Sequence, residues 1–171
     1  LHQVPDGISM AEKETRLLML VDDEPAQCRL VSAIAGRAGW RTIFARDAET
    51  AIAMLGTQDG MMLDAILLDQ WVPGSDAATL IAELKSRRPA LPVLLMTAIG
   101  STDSAIEAMR AGASDYIIKP VAAERLIAAL RFSWNCCVLH SWRAYPMTRR
   151  SSRRSRRSSE VGGDGARGLD G

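Results

Sequence analysis

Four short patterns place reactive side chains directly after apolar runs. Val21 is followed by Asp22-Asp23-Glu24, Leu68 by Asp69, Met96 by Thr97, and Ile118 by Lys119-Pro120. Brought together, Asp22, Asp23 and Asp69 repel one another, and without a cation some of them tend to stay protonated. A divalent cation removes the conflict. Mg²⁺ suits the set, because it takes a few carboxylate oxygens and keeps waters for an incoming phosphate. With that repulsion offset, Asp69 is a nucleophile able to form an aspartyl phosphate. Thr97 and Lys119 supply a neutral donor and a positive charge for the equatorial oxygens of the transferring group. The set reads as phosphoryl transfer to a carboxylate.

These residues meet only if the intervening chain puts them on one edge. The apolar runs are Leu17–Val21, Thr42–Ala45, Ala65–Leu68, Val93–Met96 and Tyr116–Ile118. Each is too short for a helix and lacks alternation, as expected of strands covered on both faces. Between them lie helix-period stripes: Ala48, Ala51, Ile52 and Leu55; Ala77, Leu80, Ile81 and Leu84; Ala123, Leu126, Ile127 and Leu130. Leu30 with Ile34, and Ala105 with Ile106 and Met109, give weaker stripes. Pro25 suits the first turn of a helix, and Gly39 and Gly112 stand where helices should end. The prediction is α/β: a doubly wound, five-stranded parallel sheet flanked by helices. Ligand sites in such sheets form at the carboxyl ends of the strands, where strand order reverses. The order 2-1-3-4-5 would gather the first, third, fourth and fifth strand ends, which carry the reactive set.

Composition narrows the alternatives. Of 171 residues 47% are apolar, which supports a real core. No run approaches the roughly 18 apolar residues of a membrane span, and Leu1–Glu14 lacks the layout of a signal peptide. Two histidines, His2 and His140, make histidine-rich metal sites a poor reading. Cys28, Cys136 and Cys137 lack metal-ligand spacing and suit a reduced cytoplasm. Cys28 and Cys137 read as small buried apolar residues, and the Met61-Met62 pair as loop filling. The net charge of +1 conceals a split: residues 1–131 carry 13 Lys+Arg and 17 Asp+Glu, a net −4. Residues 132–171 carry 8 and 3, a net +5.

Over residues 15–131 the sequence resembles the receiver domains of two-component response regulators, of the chemotaxis-regulator-like kind. The resemblance rests on Leu20-Val21-Asp22-Asp23-Glu24-Pro25, Leu67-Leu68-Asp69 with Pro73-Gly74, Leu95-Met96-Thr97-Ala98, and Gly112–Pro120. It implies a flavodoxin-like (βα)5 fold in which Asp69 is the phosphoacceptor. Asp23 binds Mg²⁺ directly, Asp22 mainly through water, and the Trp71 backbone carbonyl completes the protein ligands with Asp69. Thr97 and Lys119 hold the phosphoryl group, Thr97 and Tyr116 form the switch, and Lys119-Pro120 is cis. The donor would be a histidine kinase or a histidine phosphotransfer protein. The chain would catalyse only its own phosphorylation and dephosphorylation, with no cofactor besides Mg²⁺. Output, including a homodimer, would use the face of the fourth helix, fifth strand and fifth helix. Trp71 is bulkier than is common two residues after the acceptor. With Ile99 it would restrict water and lengthen the phosphoryl lifetime.

A haloacid-dehalogenase-type phosphatase would also use an aspartate and Mg²⁺, but it wants a second aspartate where Trp71 stands. The other alternative is the receiver piece of a DNA-binding transcriptional regulator whose output domain is missing. Residues 1–14 read as a tail and residues 132–145 as an extension of the last helix, with Pro146 opposing a regular continuation. Residues 146–171 read as a disordered Arg/Ser/Gly-rich tail. Seven arginines between Arg143 and Arg157 could touch phosphate backbones weakly, without any stacking platform. They fit a neutral tail or a non-native end as well.

Overall fold

The computed structural model describes residues 15–98 and 102–144, with side chains described to residue 135. The expectations for residues 1–14 and 145–171, for Ile99 and for the Cys137 side chain lie outside what the structure describes. Five strands, β1 (Arg16–Val21), β2 (Trp40–Ala45), β3 (Ala65–Asp69), β4 (Val93–Thr97) and β5 (Asp115–Ile118), form one parallel sheet. Its order is β2-β1-β3-β4-β5, the order that gathers the four reactive strand ends. The helices are α1 (Pro25–Arg37), α2 (Ala48–Leu55), α3 (Ala77–Arg87), α4 (Thr102–Ala111) and α5 (Ala123–Ala144). A short helix, Gln58–Met61, precedes β3.

Successive strand residues point to opposite faces, so unbroken apolar strands need a core on each side. Leu17, Met19 and Val21 of β1 join Ile66, Leu68 and Leu95 under α2, α3 and α4, through Leu55, Leu80, Ile81, Leu84 and Ala108. Leu18 and Leu20 join Leu67, Leu94 and Met96 under α1 and α5, through Val31, Ile34, Leu126 and Leu130. The central strands are almost entirely inaccessible, whereas the edge strands expose Phe44, Tyr116 and Ile118. That contrast makes the sheet centre a rigid floor for whatever its ends carry.

Local chemistry fixes where the helices start. Pro25 opens α1, Asp47 caps α2 by accepting from the Thr50 N–H, and Asp76 caps α3 by accepting from the Thr79 N–H. After β3 the chain makes a two-residue antiparallel pairing, Trp71–Val72 against Ser75–Asp76. Pro73 and Gly74 form its turn, and Gly74 has φ +93°, a conformation that favours glycine. The Ala48 N–H donates to the Pro73 carbonyl and ties this hairpin to the start of α2. Helix α5 runs on past Arg131 as far as Ala144 and carries Trp134. There the Arg16 guanidinium lies 3.9 Å from the Trp134 ring centroid and 5.7 Å from that of Trp40. Among the described residues no helix is long and apolar enough to cross a membrane.

Candidate functional site

The parallel register brings the carboxyl ends of β1, β3, β4 and β5 level, so Asp22, Asp69, Thr97 and Lys119 share one edge. Asp69 ends β3 with 6% of its surface accessible. Its Oδ1 accepts from Lys119 Nζ at 2.7 Å and from the Gln70 N–H at 2.9 Å. Lys119 is itself placed by its backbone N–H, which donates to the Thr97 carbonyl at 2.8 Å. The Lys119-Pro120 peptide is cis, as the resemblance implies.

Asp22 is the most deeply buried carboxylate of the group, at 1% accessible. Its Oδ1 accepts from the Glu24 N–H at 2.8 Å, while its Oδ2 is buried with no hydrogen-bond partner. Burial raises its pKa above the ordinary carboxylate value; the Glu24 N–H works against that rise, and the charge of Asp69 adds to it. A buried carboxylate oxygen without a donor is costly unless a cation comes to it. Asp23 is exposed beside it, and both border a cleft of about 530 Å³ that also reaches Cys28 and Arg46. The Cys28 thiol is half-buried and donates to the Asp22 carbonyl; burial and then the charge of Asp22 push its pKa up.

Among the described residues no three His, Cys, Asp or Glu side chains form a group able to hold a metal ion by themselves. That is compatible with Mg²⁺, which binds through one or two carboxylates and retains waters. The orphaned Asp22 Oδ2, within electrostatic reach of Asp69, is the observation that the site fits such an ion.

Sequence reasoning missed one residue here. Gln70 is a buried polar side chain, and its Oε1 accepts from the Thr97 hydroxyl at 2.7 Å and from the Ala98 N–H at 3.2 Å. Its Nε2 donates to Ser104 Oγ on α4 at 3.0 Å. A lone glutamine between Asp69 and Trp71 carries no periodic or compositional signal. Of the other expected residues, Tyr116 lies on edge strand β5 with 38% of its surface accessible, and Trp71 is 74% accessible. An indole so exposed covers little, so its packing does not support a role in shielding Asp69 from water.

A doubly wound parallel sheet with an acidic pair, a hydroxyl and a lysine at its switch-point edge defines a class of phosphate-handling α/β domain. Residues 18–131 match the response regulator receiver domain family, and the chain belongs to that family. It is 33% identical over 109 residues to the transcriptional regulatory protein ZraR of Salmonella typhimurium, covering 64% of this chain and 24% of that protein. It is 33% identical over 121 residues to the probable transcriptional regulatory protein TcrX of Mycobacterium tuberculosis, covering 71% and 50%. The chain thus spans half or less of the length of these relatives. The crystal structure of the receiver domain of NtrX from Brucella abortus superposes with a TM-score of 0.64 at 34% identity, covering 69% of this chain and 98% of that one.

Proposed function

We propose that this receiver domain takes a phosphoryl group onto Asp69 from the phosphohistidine of a histidine kinase or histidine phosphotransfer protein. In that step an Asp69 carboxylate oxygen forms a bond to phosphorus as the phosphorus–nitrogen bond breaks, and the imidazole nitrogen leaves with the electron pair. The observation that carries the reading is the buried Asp69 held by Lys119 at 2.7 Å, beside the unpartnered Oδ2 of Asp22. Pinning Oδ1 fixes the carboxylate for an in-line approach. Asp23, Asp69 and the Trp71 backbone carbonyl would hold Mg²⁺ directly and Asp22 mainly through water, and the ion when bound supplies positive charge against the repulsion between Asp69 and phosphoryl oxygens. Lys119 follows the charge onto the phosphoryl group, and the Thr97 hydroxyl donates to one of its oxygens.

The domain would catalyse no reaction beyond its own phosphorylation and dephosphorylation. Thr97 and Tyr116 would bias two existing conformations of the face formed by α4, β5 and α5. That face exposes Ile106, Met109, Tyr116 and Ile118, apolar surface suited to a second copy or a target. We read residues 15–131 as the receiver working in the cytoplasm, with residues 1–14 and 146–171 as tails and 132–145 extending α5. The alternative, a receiver piece of a transcriptional regulator, is favoured by the 24% and 50% of their lengths that ZraR and TcrX share with it. Nucleic acid would then be reached through an output domain, or weakly through the arginine-rich tail.

The test is incubation with Mg²⁺ and acetyl phosphate followed by phosphate-affinity electrophoresis. Wild type should shift and Asp69→Asn should not. An unshifted wild type would refute the reading.

A further inference from the structure

Gln70 occupies a position that the phosphoryl chemistry makes consequential. The Ala98 backbone N–H can only donate, so the amide atom facing it at 3.2 Å must be the oxygen. That orientation makes Oε1 the acceptor for the Thr97 hydroxyl at 2.7 Å and aims Nε2 at Ser104 Oγ at 3.0 Å. One side chain therefore ties the acceptor strand β3 to the end of β4 and to the first turn of α4. Its backbone N–H is bonded as well, to Asp69 Oδ1 at 2.9 Å.

A threonine hydroxyl carries one proton. While Thr97 donates it to Gln70, it cannot donate it to a phosphoryl oxygen on Asp69. We propose that Gln70 is a positioning residue that competes with the phosphoryl group for the Thr97 proton, and that it passes the outcome to α4 through Ser104. The inference rests on Asp69 being the phosphoacceptor. When Thr97 turns its proton to the phosphoryl oxygen, the Gln70 amide keeps the Ala98 N–H and loses its shortest bond. Beside it lies a cleft of about 390 Å³ bordered by Trp71, Ser75, Asp76, Ser104 and Glu107, which gives the amide room to turn. Ser104 then loses its donor, and the first turn of α4 is released from β3. Gln70 thereby favours the resting state by about the worth of two neutral hydrogen bonds, those it shares with Thr97 and Ser104.

The experiment titrates wild type, Gln70→Met and Asp69→Asn with beryllofluoride, a phosphoryl mimic, in the presence of Mg²⁺. Binding is read by calorimetry and by the amide resonance of Ala98. Gln70→Met keeps the length of the side chain and removes both ends of the bridge. It should tighten binding about five- to hundredfold, since each of the two neutral hydrogen bonds contributes modestly in net terms. In a Thr97→Val background the same substitution should change affinity little, because the contested proton is gone. Unchanged affinity in Gln70→Met, or an equal gain in both backgrounds, overturns the assignment and leaves the phosphoacceptor reading standing. Wild type that binds no better than Asp69→Asn overturns both. Should Gln70→Met fail to fold, Ser104→Ala frees the Nε2 end alone. Tighter binding in that variant supports the bridge, and unchanged binding overturns it.

Discussion

Replacing Lys119 with methionine keeps the stem and deletes the charge that faces Asp69. The two groups are 2.7 Å apart, with side-chain accessibilities of 26% for Lys119 and 8% for Asp69. At an effective dielectric constant of about 20, attraction over that distance is of order 6 kcal/mol before desolvation is subtracted. Breaking a buried pair costs about 3–5 kcal/mol and an exposed pair costs about 1 kcal/mol or less. Lys119 keeps contact with water, so Lys119→Met should cost about 2–3 kcal/mol. Much of that is the penalty of leaving Asp69 buried beside Asp22 without a counter-charge. Urea unfolding in Mg²⁺-free buffer measures it, and a domain with roughly 5–15 kcal/mol of stability stays folded through the change. In an Asp69→Asn background the same substitution should cost at least about 1 kcal/mol less. A Lys119→Met protein within about 0.5 kcal/mol of wild type would refute the reasoning. So would an equal cost in both backgrounds.

Asp22 has a folded pKa raised above its ordinary value, so its ionisation opposes folding. Without Mg²⁺, Asp22→Asn should therefore raise the unfolding midpoint at neutral pH, with the gain shrinking as pH falls back through the carboxylate range. Added Mg²⁺ should stabilise wild type by mass action and the variant far less, and thermal unfolding with and without the ion checks both. Asp47 and Asp76 go the other way: bonds from Thr50 and Thr79 at two helix starts lower their pKa values. Their contribution is full at neutral pH and lost as pH falls through those lowered values. An Asp47→Asn, Asp76→Asn double variant keeps the cap acceptors without the titration. Its deficit in melting temperature should shrink between neutral pH and about pH 3, and a constant deficit would count against the capping account. Leu67 is fully buried in central strand β3, so Leu67→Ala should cost about 3–4 kcal/mol by urea unfolding.

The parts legible in the sequence are those set by local pattern. Unbroken runs such as Leu17–Val21 and Val93–Met96 could only be strands covered on both sides, and the residue after each run had to emerge at the sheet edge. Asp22, Asp69, Thr97 and Lys119 were readable for that reason. β2 starts at Trp40, two residues before the apolar run at Thr42, because Trp40 is buried against α1 and α5 while Arg41 stays outside. Gln58–Met61 is too short for a periodic stripe; the Thr57 hydroxyl caps it by accepting from the Gly60 N–H. Gln70 was invisible because its meaning lies in Thr97, Ala98 and Ser104, none of them near it in sequence. The stacking of Arg16 on Trp134 likewise joins opposite ends of the domain.

The central claim is that phosphoryl uptake occurs on Asp69 and depends on the acidic pair beside it. The most direct measurement is intact-protein mass after exposure to acetyl phosphate and Mg²⁺, followed by peptide mapping of the acyl phosphate. The account predicts one added phosphoryl group, located on Asp69, lost on treatment with hydroxylamine and absent when Mg²⁺ is chelated. No uptake in wild type, or uptake that persists in Asp69→Asn, would contradict it.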